Sequence, residues 1–467
     1  MKHLLQITFL LLSIVPATAI ALNFEVDGIY YVTNGNQATV SAKNSNAEPY
    51  AGDLIIPETV TYGNVTYTVT AIGASAFAYC NELNSVTIPN TVTSIGKYAF
   101  NSLVRLKSVN LPNSIKHIGE NAFVSCMSMA IIDNALPDSI VSVGEGAFHN
   151  CQTVQFSYIP STLVSIAQDA FSGCSSVTNL TVASDNPKYD SRDNCHAIIE
   201  TASNTLITGF IDTTIPTSVT AIGNYAFSTL KKRTSIDIPN SVTSIGLEAF
   251  YGCEHLTSIV IPNSVTSMGN MAFSMCINLT SVTISNSLKE ISYYAFDGCD
   301  DLTDVIIPNS IIAIHGYAFR RCLKLASITI PSSVSTIDDN AFRDCYALDN
   351  VYSMIPDPSA INMGNSVFAR LTTNYEGRVL HVPSGSSAAY QSDPKWSDYF
   401  GIIAEPSPIP GDVDGSGTLS INDVTLMIDM LLGGGESPEF ADFNADGVFS
   451  IKDVTDLVDL LLSSSGN

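Results

Sequence analysis

The sequence predicts a β-rich solenoid of about twelve coils, each close to 23 residues, followed by a small all-α module. Three observations carry this. Phenylalanine recurs every 23 residues, at Phe77, Phe100 and Phe123 and again from Phe227 through Phe250, Phe273, Phe296 and Phe319 to Phe342. A fixed period of that size marks a repeat architecture. The composition is 45% hydrophobic and only 14% charged, against about 25% charged in an ordinary soluble chain; disordered chains show the opposite balance. From Glu405 onward the character changes: twelve acids and one base (Lys452) give this tail −11 of the chain's −24.

The charge excludes some partners at once. Nucleic-acid binding needs a basic footprint, and an anionic membrane surface would repel this chain. Ten cysteines in 467 residues are too dilute for a small disulfide scaffold.

Residues 1–21 read as a secretory signal peptide. Lys2 supplies the positive start, Leu4 to Ile14 the short apolar stretch, and Ala17-Thr18-Ala19 or Ala19-Ile20-Ala21 the small residues for cleavage. The stretch is shorter than the roughly 20 residues of a membrane span, and no later segment is long enough. Residues 22–54 carry short alternating strands, Ile29 to Val32 and Ala38 to Ala42, and are expected to cap the first coil, since an open stack needs a cap.

Residues 55–348 form the repeat array. Around Phe250 the unit runs from Ile238-Pro239-Asn240-Ser241-Val242 through Ile245-Gly246 to Ala249-Phe250, then Cys253, Leu256, Ile259 and Ile261-Pro262. Leu256, Ile259 and Ile261 follow the L-x-x-L-x-L spacing of a leucine-rich repeat. Ile259 and Ile261 alternate with Val260, as a half-buried strand requires. Pro262 cannot donate to a ladder and marks the strand end. Val265 to Met268 is a second short apolar run. Ala272-Phe273 opens a tight turn that drops Phe inward; Ala precedes Phe in eleven of twelve units, Val367 being the exception. Phe148 and Phe171 belong to the series, one step being 25, and Phe368 is a degenerate last member. Stacking coils at about 4.8 Å gives a rod of very roughly 60 Å.

The array is interrupted near residues 180–212, where His196 to Ile199 and Thr205 to Ile211 look like a hairpin standing off the solenoid. Residues 349–404 close the other end, with Gly377 to Pro383 as the clearest strand. Nine cysteines lie three residues after the repeat Phe. Leu103 and Leu230 share that slot, so the column reads as buried free thiols, which pack as small apolar groups. Cys195, in the insert, is expected to be exposed. The Gly of the Ile-Gly pair gives way to Ala167, Ser292, His315 and Asp338, so a strict positive-φ requirement is not expected, and His315 reads as a turn variant.

The unit resembles the BspA-like leucine-rich repeat family of bacterial surface proteins, from about Ile55 to Phe368. The resemblance implies a solenoid and an exported binding or adhesion role.

Residues 405–410 form a Pro-rich linker. Residues 411–467 repeat a segment at a spacing of 30: Asp412-Val413-Asp414-Gly415-Ser416-Gly417-Thr418-Leu419-Ser420-Ile421-Asn422-Asp423, then Asp442-Phe443-Asn444-Ala445-Asp446-Gly447-Val448-Phe449-Ser450-Ile451-Lys452-Asp453. Oxygen side chains at positions 1, 3 and 5, Gly at 6, a backbone carbonyl at 7 and Ser at 9 match a twelve-residue calcium loop. Position 12 is Asp in both. Apolar helices follow, Val424 to Leu432 and Val454 to Leu462. The architecture is thus a leucine-rich-repeat solenoid plus a paired calcium-loop module.

With no entering helix before the first loop, this module resembles a type I dockerin. That resemblance implies a cohesin-type scaffold partner and two Ca2+ ions. One is assigned to Asp412, Asp414, Ser416, Thr418 (backbone) and Asp423, with Ser420 near it through water. The other is assigned to Asp442, Asn444, Asp446, Val448 (backbone) and Asp453, with Ser450 in the same relation. Ile421-Asn422 and Ile451-Lys452 stand where dockerins often carry a Ser-Thr type pair. The module could also clip onto its own solenoid.

No catalytic constellation is present: metalloprotease, nucleophile-elbow and phosphate-loop patterns are missing, and the seven histidines are scattered. The expectation is a secreted or cell-surface bacterial protein, monomeric and non-enzymatic, with an unknown protein or glycan ligand on the solenoid. Outward Ser and Thr (Ser85, Thr87, Ser281, Thr283, Ser327, Thr329) and tyrosines at 98, 225, 294 and 317 are expected to be exposed there. The alternative is an accessory of a polysaccharide-degrading, cellulosome-like assembly.

Overall fold

The computed structural model describes residues 21–43, 48–131, 135–371, 375, 377–405, 411–414, 419–433, 441–444 and 448–464. The expected signal peptide lies outside them except for its last residue, as does all but the first residue of the expected linker. The chain winds into a β-solenoid of about 14 turns. This exceeds the twelve expected because residues beyond Phe368 continue the strand wall.

Most coils contribute two short strands. On one wall Ser94–Ile95, His117–Ile118, Ser142–Val143 and Ser165–Ile166 pair in parallel. On the other, Ser258–Val260, Ser281–Thr283 and Asp304–Ile306 pair with Ile259 opposite Val282 and Val282 opposite Val305. Ser327–Ile330, Asn350–Ser353, Val379–His381 and Ile402–Ala404 carry that wall onward. The expected alternation holds: Ile259 and Ile261 are buried while Val260 is 62% exposed.

The third edge is the Ala-Phe turn. In most coils the Phe N–H donates to the Ala carbonyl of the next coil, as in Phe77 to Ala99 and Phe250 to Ala272, both 2.8 Å, and Phe342 donates to Val367. The small Ala lets coils approach, and the Phe rings stack with centroids 4.8 Å apart (Phe100–Phe123) to 5.6 Å apart (Phe273–Phe296). The residue two before Phe is left-handed in every coil, whether Tyr98, Asn121, Gly146, Glu248 or Met271. The Gly of the Ile-Gly pair is not, as expected. What favours glycine there is proximity: a Cβ on Gly269 would lie 2.4 Å from the Leu247 backbone nitrogen.

All ten cysteines are free and buried. In eight of the nine column members the thiol donates to a Phe carbonyl of the preceding coil, as in Cys126 to Phe100 (3.0 Å) and Cys276 to Phe250 (3.2 Å). Burial pushes the Cys253 thiol up to about 12.

The insert corrects two expectations. Ala197–Glu200 and Thr205–Gly209 do pair as antiparallel strands, but the second also pairs in parallel with Ala221–Ile222. The hairpin is therefore part of the wall and does not stand off it. Its residues require this: Ala197, Ile198, Ile199 and Leu206 are fully buried. Ile198 packs into the N-terminal core, and Ala197, Ile199 and Leu206 into the C-terminal one. Cys195 is buried with them, not exposed, and joins the C-terminal core. The Phe ladder is broken here. Gly209 faces Phe227 so closely that a Cβ would lie 2.1 Å from its Cε1.

The ends are closed differently. Asn23–Val26, Ile29–Asn34 and Gln37–Ser41 form an antiparallel meander, and the last of these pairs in parallel with Val65–Ile72. At the other end α1 (Ser387–Ser392) and α2 (Pro394–Ser397) bury Tyr390 and Trp396. The Trp396 ring lies 5.8 Å from that of Phe368. Arg378, only 2% exposed, donates to the carbonyls of Leu348 (2.9 Å), Phe368 (3.0 Å) and Tyr399 (3.3 Å). No helix among the described residues is long and apolar enough to cross a membrane.

Candidate metal centre

Helices α3 (Ile421–Gly433) and α4 (Ile451–Ser464) pack through Val424, Met427, Val454 and Leu457. Each begins at loop position 10, earlier than the apolar runs alone indicated. The position-12 aspartates, Asp423 and Asp453, therefore sit in the first helical turn, where backbone N–H groups favour an anion. Both are fully buried.

The two loops have matching geometry. Asp423 Oδ1 accepts from the Asp414 N–H (3.0 Å), and Oδ2 from the Ser420 N–H (2.7 Å) and hydroxyl (3.1 Å). Asp453 Oδ1 accepts from the Asn444 N–H (3.2 Å), and Oδ2 from the Ser450 N–H (2.8 Å) and hydroxyl (3.2 Å). The position-9 serines thus orient the position-12 carboxylates.

Asp412, Asp414 and Asp423 are all buried, with one oxygen of each within 4.8 Å of the others. Burial, and after it the charge of Asp414, pushes the Asp423 carboxyl up to about 7. Converging buried carboxylates are costly without a counter-charge, and an all-oxygen set suits a hard divalent cation. The residues fit calcium. Loop two carries as many acids in a different order, with Asn444 at position 3 and Asp446 at position 5 where loop one has Asp414 and Ser416, and the Asn444 amide donates to Asp456 Oδ2 (3.1 Å). Burial works against the Asp453 carboxylate, but N–H groups of Asn444 and Ser450 outweigh it and hold its pKa down. Asp442 is half-buried beside this set, and the Val448 side chain is exposed. Ser416, Thr418 and Asp446 lie outside the described residues.

The tyrosines at 98, 225, 294 and 317 are half-buried, not exposed. All four have a left-handed backbone, and the rings of Tyr294 and Tyr317 stack 4.7 Å apart and 1° from parallel. Arg320 sits over both, 5.0 Å from Tyr317, and grips Asp297 with two 2.7 Å bonds. His315 bridges coils, with Nδ1 2.8 Å from Asp338 and Nε2 3.1 Å from Glu290. Many hydroxyls are spent on stitching: Thr280 donates to the Thr257 carbonyl (2.9 Å) and Thr303 to that of Thr280 (3.2 Å). On the strand wall Thr87, Thr283 and Ser327 are exposed, while Ser85, Ser281 and Thr329 are half-buried. None of these side-chain networks was evident in the sequence, because their partners sit one coil away.

Comparison with known proteins agrees with this architecture. The BspA type leucine rich repeat region, in six copies, matches residues 64–196, 206–323 and 289–376, and the dockerin type I domain matches residues 410–462. The chain belongs to the BspA-type leucine-rich repeat family and carries a C-terminal dockerin type I domain, a calcium-binding class that docks onto cohesin-type partners. It is similar to a leucine rich cell surface protein from Faecalibacterium prausnitzii, at 28% identity over 73% of this chain and 96% of that one, with a TM-score of 0.50. Two further solved structures share the fold. A leucine-rich repeat protein from Eubacterium ventriosum is 24% identical over 76% and 96% of the two chains, with a TM-score of 0.54. The pneumococcal vaccine antigen PcpA is 17% identical over 83% and 99%, with a TM-score of 0.55. No curated protein matches the chain.

Proposed function

We propose that the chain is an exported, non-enzymatic binding or adhesion protein of the bacterial surface. Its solenoid contacts a protein or glycan, and its dockerin attaches it to a cohesin-type scaffold when two calcium ions are bound. Asp412, Asp414, Ser416, Thr418 and Asp423 take one ion, with Ser420 behind them. Asp442, Asn444, Asp446, Val448 and Asp453 take the other, with Ser450 behind them. The observation that carries this reading is the convergence of Asp412, Asp414 and Asp423 in a buried cluster. A long wall of exposed strand positions supports the solenoid's part, since solenoids offer extended faces to macromolecules. Both ends are capped, which supports a monomer. The division into cap, solenoid, cap, linker and dockerin is retained, with the insert now inside the solenoid wall. No observation favours the polysaccharide-degrading assembly over this reading.

The test is a capture experiment with immobilised residues 22–467 and a surface extract, with calcium and with chelator, beside an Asp423→Asn variant. A partner held only with calcium, and lost in the variant, is expected. Capture that ignores calcium would sink the docking role. A calorimetric calcium titration should give two sites in the parent and one in the variant.

A further inference from the structure

Helix α3 turns one face to the solenoid. Leu426, Asp429 and Met430 line one side of a cavity of about 680 Å³, and Ile306, Thr329 and Pro331 of the strand wall line the other. Val413 and Asp414 of the first calcium loop reach the same cavity. Asp429 Oδ1 accepts a 3.2 Å bond from the Asn286 side-chain amide.

Two internal controls show that this is a contact and not a habit of either surface. Val260, Thr283 and Ile306 are successive in-register positions on the wall, and Thr329 pairs with Tyr352 on the wall beyond. Val260 and Thr283, which do not line the cavity, are exposed, whereas Ile306 and Thr329, which do, are half-buried. The second control is the duplicate helix. Asn422, Thr425 and Asp429 of α3 are half-buried, and their counterparts 30 residues on, Lys452, Thr455 and Asp459, are exposed. Leu426 is buried where α4 has the half-buried Asp456. The helix face that meets the wall is the one carrying the extra apolar residue, as burial against an apolar surface requires.

We propose that the dockerin latches through α3 onto the strand wall of its own solenoid when loop one holds calcium, leaving the α4 half free for a partner in trans. The inference rests on the calcium assignment made above for loop one. Val413 and Asp414 belong both to that loop and to the contact. Without the cation, repulsion among Asp412, Asp414 and Asp423 opens the loop and withdraws them from the wall. An interface that leaves so large an open gap between helix and wall is loosely packed, like the transient interfaces between domains, so the latch is reversible.

The test is an intramolecular coupling in the full chain. Asn286→Lys places an amine at the exposed position that bonds Asp429; a carbodiimide then joins the two. Asn240→Lys, at the same slot two coils earlier, controls for chance encounter. The expected result is an amide link between the introduced amine and Asp429 in monomeric protein with calcium, at background in chelator and in the control variant. Absence of the link with calcium overturns the latch. A link equally strong in chelator overturns its calcium dependence. Because the link needs no partner, it can form even if the capture experiment fails, so the two readings fail separately.

Discussion

The cost of the repeat is clearest at the residue two before each Phe. A left-handed backbone costs an L-residue about 1–2 kcal/mol, and these slots hold Tyr98, Tyr225, Glu248, Met271, Tyr294 and Tyr317. Stacking offsets part of that for Tyr294 and Tyr317. Glu248 has no such return: burial, and then the charge of Asp169, raises its carboxyl pKa. A carboxyl raised on folding penalises the folded state above the unfolded pKa, and the penalty disappears as pH falls below it. Glu248→Gly should therefore stabilise the chain by about 1 kcal/mol from the backbone alone, with a larger gain at pH 7 than at pH 4. Urea midpoints of the two proteins at both pH values would check this. A gain that grew on acidification would contradict it. The sequence pointed to this slot only through its tyrosines, because the left-handed turn common to every coil is conformational and leaves no single residue type behind.

At the scale of elements, what was legible was what repeats. The strand alternation around Ile259, the Ala-Phe turn and the thiol column are set by contacts at one fixed offset, so a single unit discloses them. The insert was misread because its pairing with Ala221–Ile222 is set by the space it must fill. Gly209 shows how tightly it fills that space. Gly209→Ala should cost about 1–3 kcal/mol, the usual range for overpacking, and lower the melting temperature; an unchanged melting temperature would mean that Phe227 can swing clear. Arg378 was equally hidden, since nothing in the sequence relates it to the carbonyls of Leu348, Phe368 and Tyr399. Arg378→Leu strands those acceptors in a buried setting, at about 1–3 kcal/mol for each group left unsatisfied. Hydrogen exchange should then accelerate in the strands Asn350–Ser353 and Val379–His381 before it does in the N-terminal coils.

At the scale of the whole molecule the chain is two unlike devices. The solenoid is held by stacked side chains, whereas the module gathers carboxylates that a cation makes compatible. Chelation should reduce the helical circular dichroism of α3 and α4 while the main thermal transition of the solenoid stays in place. A ligand at 100 times its Kd stabilises by about 2.7 kcal/mol, which is large for so small a module. The candidate site was legible because calcium chemistry confines its donors to a twelve-residue window; the covering of α3 was not, since it joins segments far apart in the chain, Asn286 and Asp429. Neighbouring strands of the stack pair in register at an offset of one whole unit, as Ile259 with Val282. A duplication or loss of one unit's worth of codons therefore leaves every remaining partnership intact. Gain or loss of one such unit can lengthen or shorten the rod without inventing a new fold. The span this protein reaches is a heritable variable that selection can adjust one coil at a time.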